Sequence, residues 1–228
     1  MPCKLISHPK EVQGAVLNCE KIPAMRDVLA ILAALTAIGF SPASAYPASY
    51  SIWMDSVGGG FRRDTFQMGG TVGAGFGVKV LLTERTHDLA LASLNFGWMF
   101  TDVLAADKWY RGNLELLAEL FSGFQFNPED RYFIGLTPLL RYNFITGSRL
   151  VPFVDGGAGL SITDINNVDL TGIFQFNLQG GAGTHYFLND TTALTVQYRW
   201  LHFSDASIQR PNRGTNTDMF YTGVTWFF

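Results

Sequence analysis

From residue 66 onward the chain is a series of segments in which apolar and polar side chains alternate. In the segment 172–187, Phe174 and Phe176 share one face, while Gln175 and Asn177 share the other. A period of two is typical of a β-strand whose two faces meet different environments. Short polar breaks separate the segments. The predicted strands are 66–82, 89–101, 111–126, 131–144, 150–162, 172–187, 192–204 and 217–228.

The length and bulk of these strands indicate where their apolar faces point. Most exceed the usual strand of about 5 to 6 residues and reach the roughly 9 to 11 residues that cross a bilayer at a tilt. A soluble, lipocalin-like barrel would turn the aromatic face inward, but the interior of an eight-stranded barrel is too narrow for so many large rings. The opposite face carries glycine and modest polar groups. We therefore predict an all-β, antiparallel up-and-down transmembrane β-barrel of about eight strands, apolar outside and polar inside.

The residues before the barrel predict export. Residues 25–45 have a short start with Arg26, an apolar run from Val28 to Phe40, and Ala43-Ser44-Ala45 before Tyr46. This is the pattern of a cleaved signal peptide, and the apolar run is shorter than the roughly 20 residues of a membrane-spanning helix. We interpret 1–24 as an upstream extension outside the mature protein, 46–65 as a lead-in or extra strand, and 66–228 as the barrel. The expected location is the outer membrane.

Composition narrows the function classes. The chain is 47% hydrophobic and 15% charged with a net charge of −3, which excludes a disordered protein, and no basic run points to nucleic acid. Both cysteines, Cys3 and Cys19, precede Met25, so the predicted mature chain has no disulfide. No cluster of metal-ligating residues or glycine-rich phosphate loop is found in the sequence, and we expect no cofactor and no metal. A porin is disfavoured because about eight strands leave no open channel.

Four polar residues fall on the apolar face of the last two strands. The alternation places His202 and Ser204 outward on one strand, and Asn216 and Asp218 outward on the other. Polar groups that face hydrocarbon cost free energy unless they are paired or lie near the interface. One interpretation is that both strands simply end in the headgroup layer. The other is a nucleophilic serine with a histidine base, held by a third group.

A local motif favours the second interpretation. The stretch His202-Phe203-Ser204-Asp205-Ala206, followed by Pro211-Asn212-Arg213-Gly214, resembles the H-x-S-N-A and P-N-x-G signature of the PagL family of lipid A 3-O-deacylases. The resemblance extends from about Gln67 to Phe228. It implies an eight-stranded outer-membrane barrel that hydrolyses the ester-linked acyl chain at the 3-position of lipid A.

The resemblance also implies roles for single residues. Ser204 would be the nucleophile and His202 the general base, while the family's acidic orienting residue falls at Asn216, with Asp218 one step further along the same face. The family's oxyanion-stabilising Asn is Asp205 here, so we assign the oxyanion region to Asp205 and Ser207. A carboxylate there leaves four outcomes open: a slow enzyme, a protonated aspartate, a backbone-only oxyanion hole, or no catalysis.

The predicted function is therefore an outer-membrane esterase acting on lipid A in the outer leaflet. The alternative is a non-catalytic barrel, used for adhesion or envelope integrity, in which Asp205 and Asn216 mark lost activity. Expected partners are lipopolysaccharide and the outer-membrane barrel assembly machinery, because the terminal Phe228 resembles the assembly signal of such proteins. A homodimer is left open by the sequence.

Overall fold

The computed structural model describes residues 61–228, which form eight β-strands. The strands are β1 (Phe66–Gly77), β2 (Asp88–Met99), β3 (Gly112–Asn127), β4 (Arg131–Phe144), β5 (Leu150–Thr163), β6 (Phe174–Phe187), β7 (Thr192–Ser204) and β8 (Thr215–Phe227). The predicted signal peptide and the segment 46–60 lie outside the described residues. Residues 61–64, at the end of the predicted lead-in, form bends and a turn before β1.

The strands close into one antiparallel barrel in sequence order, with β1 paired to β8. The closing pair is in register from Gln67 opposite Phe227 to Gly77 opposite Thr217. Closure leaves no strand edge with unpaired backbone groups, which hydrocarbon could not hydrogen-bond. The predicted fold is confirmed. Among residues 61–228, no helix has the length and apolarity required to cross a bilayer.

The two faces of the strands follow the predicted alternation. Large apolar side chains at even-numbered positions point outward and remain exposed, as with Leu136, Leu178 and Phe220. The polar partners Gln175 and Asn177 are buried in the lumen. An apolar band therefore surrounds the barrel, as lipid contact requires.

The lumen differs from the prediction of a wholly polar interior. Two apolar clusters fill its ends, and a polar layer lies between them. One end of the barrel, here called the site end, carries residues 78–87, 164–173 and 205–214. The apolar cluster at the site end includes Phe121, Phe133 and Phe203. The cluster at the other end includes Phe61, Phe187 and Phe227. Inward-facing aromatic rings fit because glycines on the facing strands leave room; a Cβ on Gly183, for example, would lie 2.4 Å from Phe153.

Buried ion pairs form the middle layer. Arg199 lies 2.6 Å from Glu119 and 3.3 Å from Asp155, and Asp155 also pairs with Arg141 at 2.9 Å. Glu119 and Asp155 therefore neutralise the luminal arginines, whereas the third luminal acid, Glu115, accepts a hydrogen bond from the side chain of Asn143 at 2.9 Å. The layer gives a packed lumen with its arginines paired, rather than an open pore.

The first strand is shorter than predicted. It ends at Gly77 rather than at residue 82, and the turn that follows includes Leu81 with a left-handed backbone (φ 57°). The amide of Val78 donates to the carbonyl of Asn216 at 2.9 Å. Residues 78–83 therefore lie over the outer wall instead of extending the strand.

Replacing Arg199 by Leu should destabilise the barrel by roughly 3 to 5 kcal/mol, because Glu119 would become an unpaired buried carboxylate. Urea unfolding in detergent, followed by tryptophan fluorescence, measures the change. Arg63→Leu is the control: its ion pair with Asp102 spans 3.9 Å and is largely exposed, so it should change stability by less than about 1 kcal/mol. Equal stabilities for the two variants would contradict the luminal account.

Candidate active site

The pairing of β7 with β8 sets the geometry of the outward polar cluster. His202 lies directly opposite Asn216, and Trp200 lies opposite Asp218. Opposed residues on one face of an antiparallel pair have Cβ atoms about 4.5 to 5.5 Å apart, so their side chains can meet. His202 Nδ1 is 2.8 Å from Asn216 Oδ1. The structure therefore joins His202 and Asn216 by a hydrogen bond.

Asn216 is covered although it belongs to the outward face. Its exposed fraction is 0%, because residues 78–83 lie against it. Its amide nitrogen donates to the carbonyl of Val80 at 3.2 Å and to the hydroxyl of Thr83 at 2.6 Å. All the hydrogen-bonding capacity of the amide nitrogen is used inside the protein, which removes the cost of placing it on an apolar wall.

These contacts determine the tautomer of the neutral imidazole of His202. A backbone carbonyl only accepts, so the Asn216 atom that faces Val80 must be the nitrogen, and Oδ1 must face His202. Nδ1 of His202 then carries the proton and donates it to Oδ1. In the neutral ring, Nε2 is left as an acceptor, which is the state that a general base requires.

The imidazole of His202 is restricted by an aromatic ring and by the backbone of a glycine. The indole of Trp200 stacks on it, with ring centroids 5.5 Å apart and an interplanar angle of 15°. Gly214 approaches it from the β7–β8 loop, where a Cβ would lie 2.5 Å from the Cε1 of His202. Gly214 also has a left-handed backbone, with φ +77°. Only glycine meets both demands, which gives the final residue of the Pro211–Gly214 motif a physical role.

Ser204 lies two residues after His202 on the same outward face and is half-buried. No hydrogen bond joins Ser204 to His202 in the described structure. Same-face neighbours on a strand are about 7 Å apart at Cα, within reach of a rotated imidazole and hydroxyl. Catalytic hydrogen bonds are often loose without substrate, so this spacing is compatible with a nucleophile and its base.

Asp218, the alternative orienting residue, has a different partner. Its Oδ1 accepts a hydrogen bond from the hydroxyl of Tyr198 at 2.8 Å. Tyr198 lies on β7 on the same outward face, two residues before Trp200. The contact to His202 is thus made by Asn216 and not by Asp218.

The residues of the expected oxyanion region form a tight turn after β7. The carboxylate of Asp205 is buried, and its Oδ2 accepts the amide of Gln209 at 2.7 Å. Ala206 and Ser207 have left-handed backbones, with φ 56° and 67°. Each such residue costs about 1 to 2 kcal/mol, and strain of this kind is concentrated at functional sites. Because its carboxylate accepts the amide of Gln209, Asp205 stabilises this strained loop.

A single residue, Asp169, joins three segments at the site end. Asp169, in residues 164–173, accepts hydrogen bonds from the amides of Glu84 at 2.7 Å and Arg85 at 2.8 Å. Its carboxylate also contacts His87 at 3.1 Å. Its backbone carbonyl accepts the amide of Gly214 at 2.9 Å. Asp169 thus ties the segment that covers Asn216 to the segment that contacts His202.

The charge of Asp169 is stabilised by these donors. Burial by itself would raise the pKa of Asp169, but the hydrogen bonds from Glu84, Arg85 and His87 outweigh burial and hold that pKa below its usual range. A carboxyl with a lowered pKa contributes stability above its unfolded pKa, about 3.9, and loses it as the pH falls through the folded value.

We expect the amide protons of Glu84 and Arg85 to keep their hydrogen-bonded NMR shifts from neutral pH down to below the ordinary aspartate pKa. Further acidification should release them, because Asp169 becomes protonated. The Asp169→Asn variant should show the released shifts already at neutral pH. Shifts that do not respond to acid or to the substitution would contradict the assigned role of Asp169.

The sequence did not predict roles for Thr83, His87 or Asp169. His87 is buried and also contacts Gln125 at 2.6 Å. Their contacts join segments far apart in sequence, and none belongs to the local motif. The one available signal was the break at Thr83 to Asp88, where polar residues follow the apolar run 80–82.

The fold and the hydrogen-bonded polar cluster on its apolar wall define a transmembrane β-barrel with a candidate active site open to lipid. Comparison with known families narrows this class. The sequence profile of the family described as Lipid A 3-O-deacylase (PagL) matches residues 70–225. The chain belongs to the PagL family, and it is an outer-membrane β-barrel. No curated protein matches it significantly.

Solved structures agree with the fold. The crystal structure of the outer membrane enzyme PagL is 16% identical, with a TM-score of 0.53, covering 68% of this chain and 97% of its own. The crystal structure of Neisserial surface protein A is 15% identical, with a TM-score of 0.53, covering 72% of this chain and 97% of its own. At these identities the two structures support the architecture alone.

Proposed function

We propose that this protein hydrolyses the ester bond of the 3-O-linked acyl chain of lipid A, with Ser204 as nucleophile and His202 as general base. The observation that carries the proposal is the 2.8 Å hydrogen bond between His202 and Asn216 on the lipid-facing wall. It holds the imidazole with Nε2 free to accept a proton, on the strand face that also carries Ser204. Family membership supports the same substrate and bond.

The proposed reaction has two halves. Ser204 Oγ attacks the ester carbonyl carbon while its proton passes to Nε2 of His202. The tetrahedral intermediate collapses, the acyl–oxygen bond to the sugar breaks, and His202 returns the proton to the leaving alkoxide. Water, deprotonated by His202, then attacks the acyl-serine ester. The acyl chain leaves as a free fatty acid, and Ser204 regains its proton.

The proposal places the donors for the oxyanion beside Asp205 rather than in its side chain. Asp205 Oδ2 is occupied by the amide of Gln209. The side chain of Asn212 approaches the backbone of Asp205, with 3.5 Å between Oδ1 and N. We assign oxyanion stabilisation to the amide nitrogen of Asn212 together with backbone N–H groups of the strained turn at Ala206 and Ser207.

Lateral access from the outer leaflet explains why the site lies on the outer wall. The lipid-facing surface next to it is apolar, with Phe220 exposed on β8 and Leu178 exposed on β6. A groove of about 560 Å³ in the β7–β8 loop includes Arg210, which suits an anionic headgroup, and Arg213, which pairs with Glu84.

The proposal includes export through cleavage after Ala45 and insertion by the barrel assembly machinery, with lipopolysaccharide as the partner.

A non-catalytic barrel is the second candidate. It is favoured by the absence of an acid opposite His202, where Asn216 stands. The two candidates differ in whether lipid A changes on contact with the protein.

The Ser204→Ala and His202→Ala variants should each lower the rate of fatty acid release by at least about 10³-fold, because the two residues act as a unit. Release is measured with lipid A in mixed micelles, and folding is checked by heat-modifiable migration. Ser148→Ala, in the exposed turn before β5, is the matched control and should keep full activity. Comparable activity in all three variants would exclude the proposed pair.

Replacing Asn216 by Asp tests which residue orients His202. A carboxylate at this position favours the protonated imidazole, so the acid limb of the pH–rate profile should move to higher pH. Asp218→Asn should leave the limb in place, because Asp218 binds Tyr198. A shift produced by Asp218→Asn and not by Asn216→Asp would reverse the assignment.

A further inference from the structure

The amide at position 216 raises a chemical problem that a carboxylate would not. The two ends of an amide have nearly the same shape, but one accepts hydrogen bonds and the other donates them. If the nitrogen faced His202, Nδ1 would have to accept and Nε2 would carry the proton. In a serine hydrolase, exchanging the orienting carboxylate for an amide selects this wrong tautomer and costs about 10⁴-fold in kcat. The orientation of Asn216 therefore decides whether His202 is a base.

Thr83 adds a second and shorter contact that selects the same orientation as the carbonyl of Val80. Its hydroxyl donates to the carbonyl of Gly214 at 2.9 Å. Because a carbonyl cannot donate, the hydroxyl proton is committed to Gly214, and the oxygen presents a lone pair to Asn216 at 2.6 Å. Only the nitrogen of the amide satisfies that lone pair.

Burial makes this selection effective. Thr83 is 8% exposed and Asn216 is fully buried, so water cannot replace a mismatched partner. The carbonyl of Val80 also accepts from the amide nitrogen, but at the longer distance of 3.2 Å. Each hydrogen bond thus has a fixed donor: His202 donates to the oxygen of Asn216, the nitrogen of Asn216 donates to Thr83, and Thr83 donates to the carbonyl of Gly214.

We propose that Thr83 is a positioning residue that fixes the amide of Asn216 and so keeps His202 in the tautomer with a free Nε2. The proposal deepens the proposed function and rests on it for the effect on catalysis. Thr83 does not touch the reacting atoms. It is the means by which this chain uses a neutral amide where the family signature places an acid.

The segment that carries Thr83 is itself held in place. The next two residues, Glu84 and Arg85, bind the carboxylate of Asp169, and Gly214 binds its carbonyl. Asp169 thus holds both sides of the Thr83–Gly214 hydrogen bond in place, through the residues that follow Thr83 and through Gly214 itself. The apolar residues Leu81 and Leu82 beside it are about three-quarters exposed on the outer wall, which suits contact with lipid.

The test compares Thr83→Val with Thr83→Ser in the full chain in detergent. Valine has nearly the same shape without the hydroxyl, while serine keeps the hydroxyl. Thr86→Val is the matched control in the same segment, since Thr86 contacts Asn127 at 3.4 Å and not the site. The readouts are kcat on lipid A, its pH profile, and the tautomer of His202 from ¹⁵N NMR of labelled histidine, assigned with His202→Gln.

We expect Thr83→Val to lower kcat about five- to tenfold, the worth of one neutral hydrogen bond, with little change in KM. The NMR signal of His202 should shift from the Nδ1–H tautomer to a mixture. Thr83→Ser and Thr86→Val should match the wild type in both readouts. An unchanged tautomer and kcat in Thr83→Val would overturn the proposal.

The two readouts separate this proposal from the proposed function. A wild-type protein that is inactive on lipid A but loses the Nδ1–H tautomer in Thr83→Val refutes the esterase and keeps the positioning role. If the wild type is active and the Thr83→Val variant has the same His202 tautomer and the same kcat, the positioning role alone is refuted.

Discussion

Hydrocarbon offers no hydrogen bonds, and this constraint governs every level of the structure. It requires the strands to close on themselves, which β1 and β8 do along their whole length. It requires charges to be paired inside, as Arg199 is with Glu119. It also makes any polar group on the outer wall costly unless the protein supplies its partners. In the cluster at the end of β7 and the start of β8, the segment 78–83 supplies the partners of Asn216, and Tyr198 supplies the partner of Asp218.

This covering segment changes what the outward position of the cluster means. Asn216 is outward by strand alternation but buried by packing, whereas His202 and Ser204 remain half-exposed. The groups that would react are thus open to lipid, and the group that orients them is enclosed. Such a division suits an enzyme whose substrate diffuses in the membrane, because solvent and lipid cannot compete for the orienting hydrogen bond. Asp169 also supplies hydrogen-bond partners inside the protein, and its contacts join three segments at the site end.

The sequence predicted the features that depend on local periodicity. Alternation gave the eight strands, their outward face and the shared face of His202, Ser204, Asn216 and Asp218. It could not rank Asn216 against Asp218 firmly, because both occupy the same face and only the β7–β8 register separates them. Thr83 and Asp169 were out of reach, since their contacts cross more than 80 residues of sequence. The apolar luminal clusters were missed because strand alternation does not reveal how glycines on one strand make room for rings on another.

The central claim is that the barrel removes one ester-linked acyl chain from lipid A. The most direct measurement is mass spectrometry of lipid A before and after incubation with the folded wild-type protein in detergent. The account predicts the loss of one hydroxyacyl chain from the 3-position, with the matching free fatty acid in the products. An unchanged lipid A mass, across lipid A types with different acyl chains, would contradict it and leave a barrel of the same family without the hydrolytic activity.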